Sequence, residues 1–514
     1  LSNVDQQTNG LMRIGVFVAP GWIWRWQKWF VEALRDKGHQ VDLCVAGNAG
    51  PLPGKLRLLL QTERLLYRQR GENTSDLIDV EAFDNIPIIY EPAPSDYDLV
   101  IDLAGNTALS QFRARRFRPL YDGMGGISDL VGILLDGHVP RLSLDDSALP
   151  EPHRFGLTAV EQPDLLLQGL NNVYSRMTGA LLKSVDEIAE NLVITSPDAL
   201  SGDRTKRKRR TAPLRAGRFL LRTLSGKVTS RLNKLVRKGA GEELRWGVGW
   251  RSTNGHPVRR TNELDLDNYI HLRDDGKRFF ADPFVIWHEG LHHVFVEEFP
   301  FETQKGIICH FTIDEQGAAT PPKMVLSRPY HLSYPNVFQR EGQFWMIPET
   351  SANNAVELYR AVNFPDKWIF EKTLIENVRA DDVTLIDHED RLWMFAAVSH
   401  WQSSQWDALG LFYADDLLGD WTPHQANPVL IDAGAARPAG AMYHKNGVLW
   451  RPAQDCRSGY GAGLALCRVE RLDPERFEQS VMHRFAPKGQ NGLIGLHTLN
   501  EDHGLEVIDF FGRL

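Results

Sequence analysis

Residues 282–298 read DPFVIWHEGLHHVFVEE, and the same design returns as YPNVFQREGQFWMIPET at 334–350, DDVTLIDHEDRLWMFAA at 381–397, RPAGAMYHKNGVLWRPAQD at 437–455 and LHTLNEDHGLEVIDF at 496–510. Each copy is an apolar strand, a tight turn with a charged residue beside Gly or Asp, and an aromatic-rich strand. The turns fall at Gly290, Gly342, Asp390, Gly447 and Gly504, so the intervals are 52, 48, 57 and 57 residues. A period near fifty built on antiparallel hairpins is the mark of propeller blades. Five copies predict an all-β five-bladed propeller over 242–514, with the earlier strand RWGVGWR (Arg245–Arg251) completing the last blade.

The hairpin geometry gathers chemistry. The start of the first strand and the end of the second lie at the same end of an antiparallel pair. One mouth of the channel therefore receives Asp282, then Tyr334 with Glu349, Asp381 with Asp382, Arg437 with Arg451, Gln454 and Asp455, and His497 with Asp509. Glu297 and Glu298 end the first copy at that mouth. The turn residues go to the opposite face and are assigned to solvent. Acids, His and Arg converging from several blades point to a site for carbohydrate processing.

The rest of the chain frames this unit. At 514 residues, with 42% hydrophobic and 24% charged residues, it is long enough for two or more packed domains of ordinary composition. A net charge of −8 argues against nucleic-acid binding. The four cysteines (Cys44, Cys309, Cys456, Cys467) show no ligand spacing and read as reduced, buried thiols. No apolar run has the length to span a bilayer and no leader pattern opens the chain, so the expectation is a cytoplasmic protein.

The N-terminal part has βαβ patterning: MRIGVFV at 12–18, helical spacing over 24–37, VDLCVA at 41–46, a helix over 55–70 and strands at 86–90 and 99–103. A Rossmann-like α/β domain over 12–192 follows. The loop after its first strand reads APGWIWRWQKW, without GxGxxG, so no dinucleotide or phosphate cradle is legible. Trp22, Trp24, Trp26 and Trp29 there either stack on a ligand or cement the helix. MRIGVF, LLLQTERLLYRQR (58–70), DYDLVIDLAGN (96–106) and YDGMGGISDLVGILLDGHVP (121–140) resemble the formyltransferase-like domain that precedes a propeller in bacterial proteins related to the N-terminal part of glucosamine inositolphosphorylceramide transferase. The resemblance implies formyl or acyl transfer to an amino sugar. Arg118-Pro119-Leu120 stands where an Asn-x-His is expected, however, and only Asp122, Asp136 and His138 remain as isolated candidates, so the domain reads as degenerate.

Between the domains, 193–241 is a linker in which basic residues dominate from Arg204 to Lys238. Apolar residues at helical spacing over 213–236 predict an amphipathic helix able either to lie on an anionic membrane surface, at the inner face of a membrane, or to dock on the domains.

The block FADPFVIWHEGLHHVF (280–295) is similar to the first blade of five-bladed glycoside hydrolases of the arabinanase, xylosidase and invertase type. That resemblance implies Asp282 as general base or nucleophile, Asp382 (or Asp381) as the acid that tunes and orients, and Glu349 as the nearest general acid. Glu349 ends the second blade, earlier than the acid usually falls, and Arg437 opens the fourth blade, which leaves room for a phosphate- or carboxylate-bearing sugar held by Arg437 or Arg451. The expected function is a carbohydrate-active enzyme making or breaking glycosidic bonds in glycan or glycolipid biosynthesis, a glycosyltransferase or glycoside hydrolase. A non-catalytic glycan-binding or scaffold protein is the alternative. Carboxylates at the mouth are compatible with a divalent cation, though no ligand loop is recognisable, and no motif for a nucleotide-sugar donor is legible.

Overall fold

The computed structural model describes residues 10–46, 54–66, 71–83, 86–90, 93, 97–105, 109–159, 161–190, 244–401, 403–487 and 492–513. The basic linker over 193–241 and its helix over 213–236 lie outside the described residues. The chain divides into two compact units, 1–230 with 400–404, and 231–399 with 405–514. Among the described residues no helix is long and apolar enough to cross a membrane. All four cysteines are buried and unpaired.

The first unit is built on a mixed sheet. Arg13–Val18 pairs in parallel with Gln40–Val45 and with Leu99–Asp102, and the latter runs parallel to Arg115–Tyr121. The edge beyond turns antiparallel through Arg141–Asp146 and His153–Leu157. Ile14, Val16, Val18, Leu43 and Ile101 are wholly buried, as side chains covered on both faces of a parallel sheet must be. The expected helix over 55–70 is seen as Gly54–Leu66, and a 24-residue helix, Leu166–Ala189, closes the unit. The Glu63 carboxylate accepts the N–H groups of Leu166 and Leu167 at 3.2 and 2.8 Å, satisfying donors that a helix start leaves open.

Trp24 and Trp26 are not ligand platforms. Both rings lie against Tyr174 at 5.3 Å and are at most 2% exposed, so they fix the long helix. Two remnants read from the formyltransferase resemblance also serve local structure. Asp122 takes a left-handed φ of 51° in a tight turn and accepts the Arg141 N–H, and Asp136 caps the C-terminus of helix Ile127–Leu135.

The second unit is all β. Hairpin Arg278–His288 with Leu291–Pro300 continues into Ile307–Ile313 and Lys323–Leu326; Ser333–Arg340 with Gln343–Glu349 continues into Ala355–Asn363 and Lys367–Glu376; Tyr443–Lys445 with Val448–Gln454 continues into Leu464–Leu472 and Phe477–Phe485. A five-stranded sheet joins Leu499–Asp502 and Leu505–Arg513 to Leu244–Ser252, which pairs along its whole length with Leu505–Arg513. The remaining hairpin, Ala380–His388 with Arg391–Val398, is followed by Ala408–Ala414, whose outer edge is shared by two short pieces, Thr422–Pro423 and Leu430–Asp432. Pro423 and Pro428 lack the N–H a full edge strand would donate. The structure thus shows a propeller-like arrangement with four regular blades, where the sequence predicts five alike.

Buried side chains fill the space between successive sheets. Val337, Met346 and Tyr359 pack with Phe295 and Ile308, and Val248, Trp250 and Val507 pack with Val294 and Phe311, so the last sheet shares a core with the first.

Candidate functional site

Three of the hairpins carry the same irregularity at the same place. The register shifts between Ala281 and Phe284, between Ser333 and Asn336, and between Asp381 and Thr384. Within each bulge one residue is left-handed: Asp282 (φ 52°), Tyr334 (42°) and Asp382 (53°). A bulge re-aims a side chain that the pleat would otherwise send to a face. Left-handed backbone costs a non-glycine residue roughly 1–2 kcal/mol, so the surroundings must enforce it.

They do so through hydrogen bonds. The Asp282 N–H donates to Asp509 Oδ2 at 3.0 Å, the Tyr334 N–H donates to Asp282 Oδ2 at 3.1 Å, and the Thr498 hydroxyl donates to Asp282 Oδ1 at 3.1 Å. The buried Tyr334 side chain is anchored by the Gly440 N–H, which donates to its hydroxyl at 2.6 Å, and by Thr384 at 2.9 Å. Asp382 Oδ2 accepts from Arg437 Nε at 2.5 Å and from Gln454 Nε2 at 2.6 Å. Arg437 also donates to the Gln405 carbonyl at 3.2 Å and stands 3.7 Å from Glu349 Oε2. Asp381 accepts from Gln405 at 3.2 Å, and Glu349 from the Ser351 hydroxyl at 3.1 Å.

A second chain of contacts runs through His497. Its Nδ1 is 2.5 Å from Asp509 Oδ2 and its Nε2 is 3.6 Å from Asp282 Oδ1. Asp509 Oδ1 accepts the backbone N–H groups of His497 and Thr498, both at 2.9 Å, so Asp509 positions the ring without facing outward. Trp246 stacks on His497 with centroids 4.0 Å apart, and Tyr460 meets the ring edge-on at 5.2 Å. Tyr460 is 39% exposed, lies beside Trp406 and takes the Arg437 guanidinium over its face.

Burial sets the electrostatics. Desolvation, helped by Asp382 and Asp509 and opposed by His497, pushes Asp282 up to about 6. Burial likewise holds Glu349 well above the usual carboxyl range, with Asp381 and Asp382 adding to the effect and Arg437 opposing it. Glu297 is raised well above its ordinary value by burial and then by Asp282, Asp509 and Asp382. Burial acts against a charged His497, but Asp509 and Asp282 outweigh it and its pKa stands above the ordinary value. The cluster therefore holds protons that exposed carboxyls would have lost at neutral pH.

A cation is a poorer fit. Asp282, His497 and Asp509 bring one ligand atom each to within 4.8 Å of one another. Yet all four of their carboxylate oxygens already accept from a protein N–H or O–H. These are the contacts of a hydrogen-bonded relay.

Asp282, Tyr334, Glu349, Asp381, Asp382, Arg437, Gln454, His497 and Asp509 are thus linked in one network by the contacts above. Two of the expected residues stand apart. Arg451 is 1% exposed and spends its guanidinium on the carbonyls of Ala435 and Ala436, and Asp455 is tied to Arg457 at 2.6 Å and Arg484 at 3.1 Å. Arg437 is 6% exposed, with Nε on Asp382, one terminal nitrogen on the Gln405 carbonyl and the other 3.7 Å from Glu349. Tyr334 is too deeply buried to stack on a ligand. The accessible aromatic face belongs to Tyr460 with Trp246 and Trp406. Glu298 turns away from Glu297 to pair with Arg278, as alternation along a strand requires.

Residues 271–506 match the family described as glucosamine inositolphosphorylceramide transferase 1, N-terminal. Apart from residues 400–404 the match falls within the second unit. The protein of that name from Oryza sativa subsp. japonica is 32% identical over 225 residues, covering 42% of this chain and 30% of that protein. Its Arabidopsis thaliana namesake is 31% identical over 231 residues, covering 44% and 30%. The chain thus spans about 30% of the length of the curated relatives it matches. These relatives are plant proteins, whereas the motif resemblance points to bacterial ones. Among solved structures, a family 117 glycoside hydrolase, Zg3597, from Zobellia galactanivorans matches with a TM-score of 0.34 at 13% identity, covering 48% of this chain and 87% of that one. An exo-1,5-α-L-arabinanase from a bovine ruminal metagenomic library matches with a TM-score of 0.32 at 17% identity, covering 45% and 88%.

Proposed function

We propose that the second unit is a five-bladed ring whose mouth acts on glycosidic bonds, with Asp282 as general base or nucleophile, Glu349 as general acid and Asp382 as the carboxylate that orients them. The core shared between the last and first sheets supports the ring, with the irregular Ala380–Val398 hairpin as its third blade. The observation that carries the activity is the buried network in which Asp282 is hydrogen-bonded beside His497 and Glu349 stands beside Arg437, with burial raising both carboxyls, Asp282 to about 6 and Glu349 well above its ordinary value. Glycosidic chemistry needs two carboxyls, one ionised and one protonated at the same pH. Beside them, Tyr460 with Trp246 and Trp406 supplies the apolar face that a sugar ring packs against. Similarity to a transferase named for glucosamine and inositolphosphorylceramide favours a glycan or glycolipid as the substrate.

One observation favours a second reading, a glycan-binding module without turnover. Arg437 occupies the fourth hairpin's place at the mouth and neutralises two of the acids. A panel of p-nitrophenyl pyranosides and furanosides separates the two. The enzyme reading expects nitrophenol release that falls roughly 10³-fold in Asp282→Asn while the circular dichroism of the folded chain is retained. Calorimetric binding with no release would select the binding module, and neither release nor binding would sink both.

A further inference from the structure

The hairpin ends opposite the mouth are not uniformly solvated. Tyr443–Asn446, Glu501 with Gly504, and the segment from Thr253 to Arg260 line an open cavity of about 620 Å³. Three cations, Arg259, Arg260 and Lys445, line it against the single carboxylate of Glu501. Two of the cations are fixed in place. Arg259 pairs with Glu501 and lies over the Tyr443 ring at 5.8 Å, while Lys445 Nζ donates to the carbonyls of Arg259 and Arg260 at 3.2 Å and stands 5.2 Å over Trp450. The third, Arg260, is exposed, with a 3.5 Å contact to the Gly255 carbonyl. The Tyr443 hydroxyl, also in the wall, is buried without a hydrogen-bond partner. Nothing lies within 4 Å of where a Cβ would stand on Gly255, so the rim is open.

We propose that this cavity binds a phosphate-bearing small molecule. Positive charge exceeds negative by two in its wall. Guanidinium groups match phosphate oxygens two bonds at a time, and a lysine held in place acts as a point charge. The volume is that of an organic ligand and too large for a bare phosphate. This chemistry is the reverse of the acid-rich mouth, and the site stands whether or not the mouth is catalytic.

The test is calorimetry of the full chain with inorganic pyrophosphate at low salt. Binding should weaken at least tenfold in Arg260→Glu and less in Arg260→Gln, with the melting temperature unchanged because Arg260 is exposed. It should weaken in wild type as salt rises. The segment over 204–238 is also basic, so a chain with Arg207, Lys208, Arg209 and Arg210 changed to Gln must retain the binding. Absence of binding in wild type, or binding that survives Arg260→Glu, overturns the proposal. Sedimentation with phosphatidic acid vesicles assigns the source: loss in Arg260→Glu means a lipid headgroup, and no sedimentation despite pyrophosphate binding means a free phosphate ester.

Discussion

The turns Glu289–Gly290, Glu341–Gly342, Asn446–Gly447 and His503–Gly504 all take left-handed φ at both residues, between 47° and 83°, whereas the opposite ends of the same hairpins carry Asp282, Tyr334, Arg437 and His497. Two left-handed residues make the turn whose twist suits a two-residue hairpin, and Gly or Asn beside it is enough to specify it. At that end the copies are interchangeable. At the other end a bulge recurs at Asp282, Tyr334 and Asp382 but not at Arg437 or His497, and the functional groups vary from copy to copy. The repeat therefore supplies position, and departures from it supply chemistry.

That contrast can be broken most sharply at Glu349. If it is the general acid, Glu349→Gln should lower turnover by 10²-fold or more and erase the limb of the pH–rate profile that falls as pH rises, since that limb reports loss of its proton. A profile with both limbs intact would return Glu349 to a structural role beside Ser351 and Arg437.

A smaller effect is expected in stability. A carboxyl whose pKa is raised from 3.8 to about 6 on folding destabilises the folded state as pH rises from about 4 through about 6, by about 3 kcal/mol in all. A histidine whose folded pKa is raised contributes stability below its unfolded value that is lost as pH rises through the folded one. Both signs agree, so urea unfolding should show the second unit more stable near pH 5 than near pH 8. In Asp282→Asn that slope should shrink, and an unchanged slope would place the titration elsewhere.

The smallest effect belongs to the turn end. Gly342 has a φ of 76° and nothing within 4 Å of a Cβ position, so Gly342→Ala should cost only about 1 kcal/mol and leave turnover untouched. A loss of activity there would show that the two ends are coupled.

The hairpins were legible because their period, turn glycines and alternation are local properties of the chain. Asp282 and Asp382 were legible because they open strands within that pattern. The errors have equally physical sources. Arg451 and Gln454 end the same strand, yet Gln454 reaches Asp382 while the Arg451 guanidinium is taken up by the carbonyls of Ala435 and Ala436, which no spacing announces. Asp455 lies one residue past the strand, where Arg457 and Arg484 claim it. Trp246 and Trp406 escaped notice because neither belongs to a hairpin copy; Trp246 reaches His497 from the strand Leu244–Ser252. Asp509 was placed with His497 correctly, but only the two N–H groups on its Oδ1 reveal it as a support for the ring.

The pairing of Leu244–Ser252 with Leu505–Arg513 also bears on how the unit comes into being. Partners 253 to 269 residues apart, from Ser252 with Leu505 to Leu244 with Arg513, give this sheet a very high contact order, and loop closure on that scale comes late in folding. During synthesis Leu244–Ser252 can meet Ile270–His271 early, but its other edge waits until Leu505–Arg513 has been made, and until then it is an open strand edge of the kind chaperones shield.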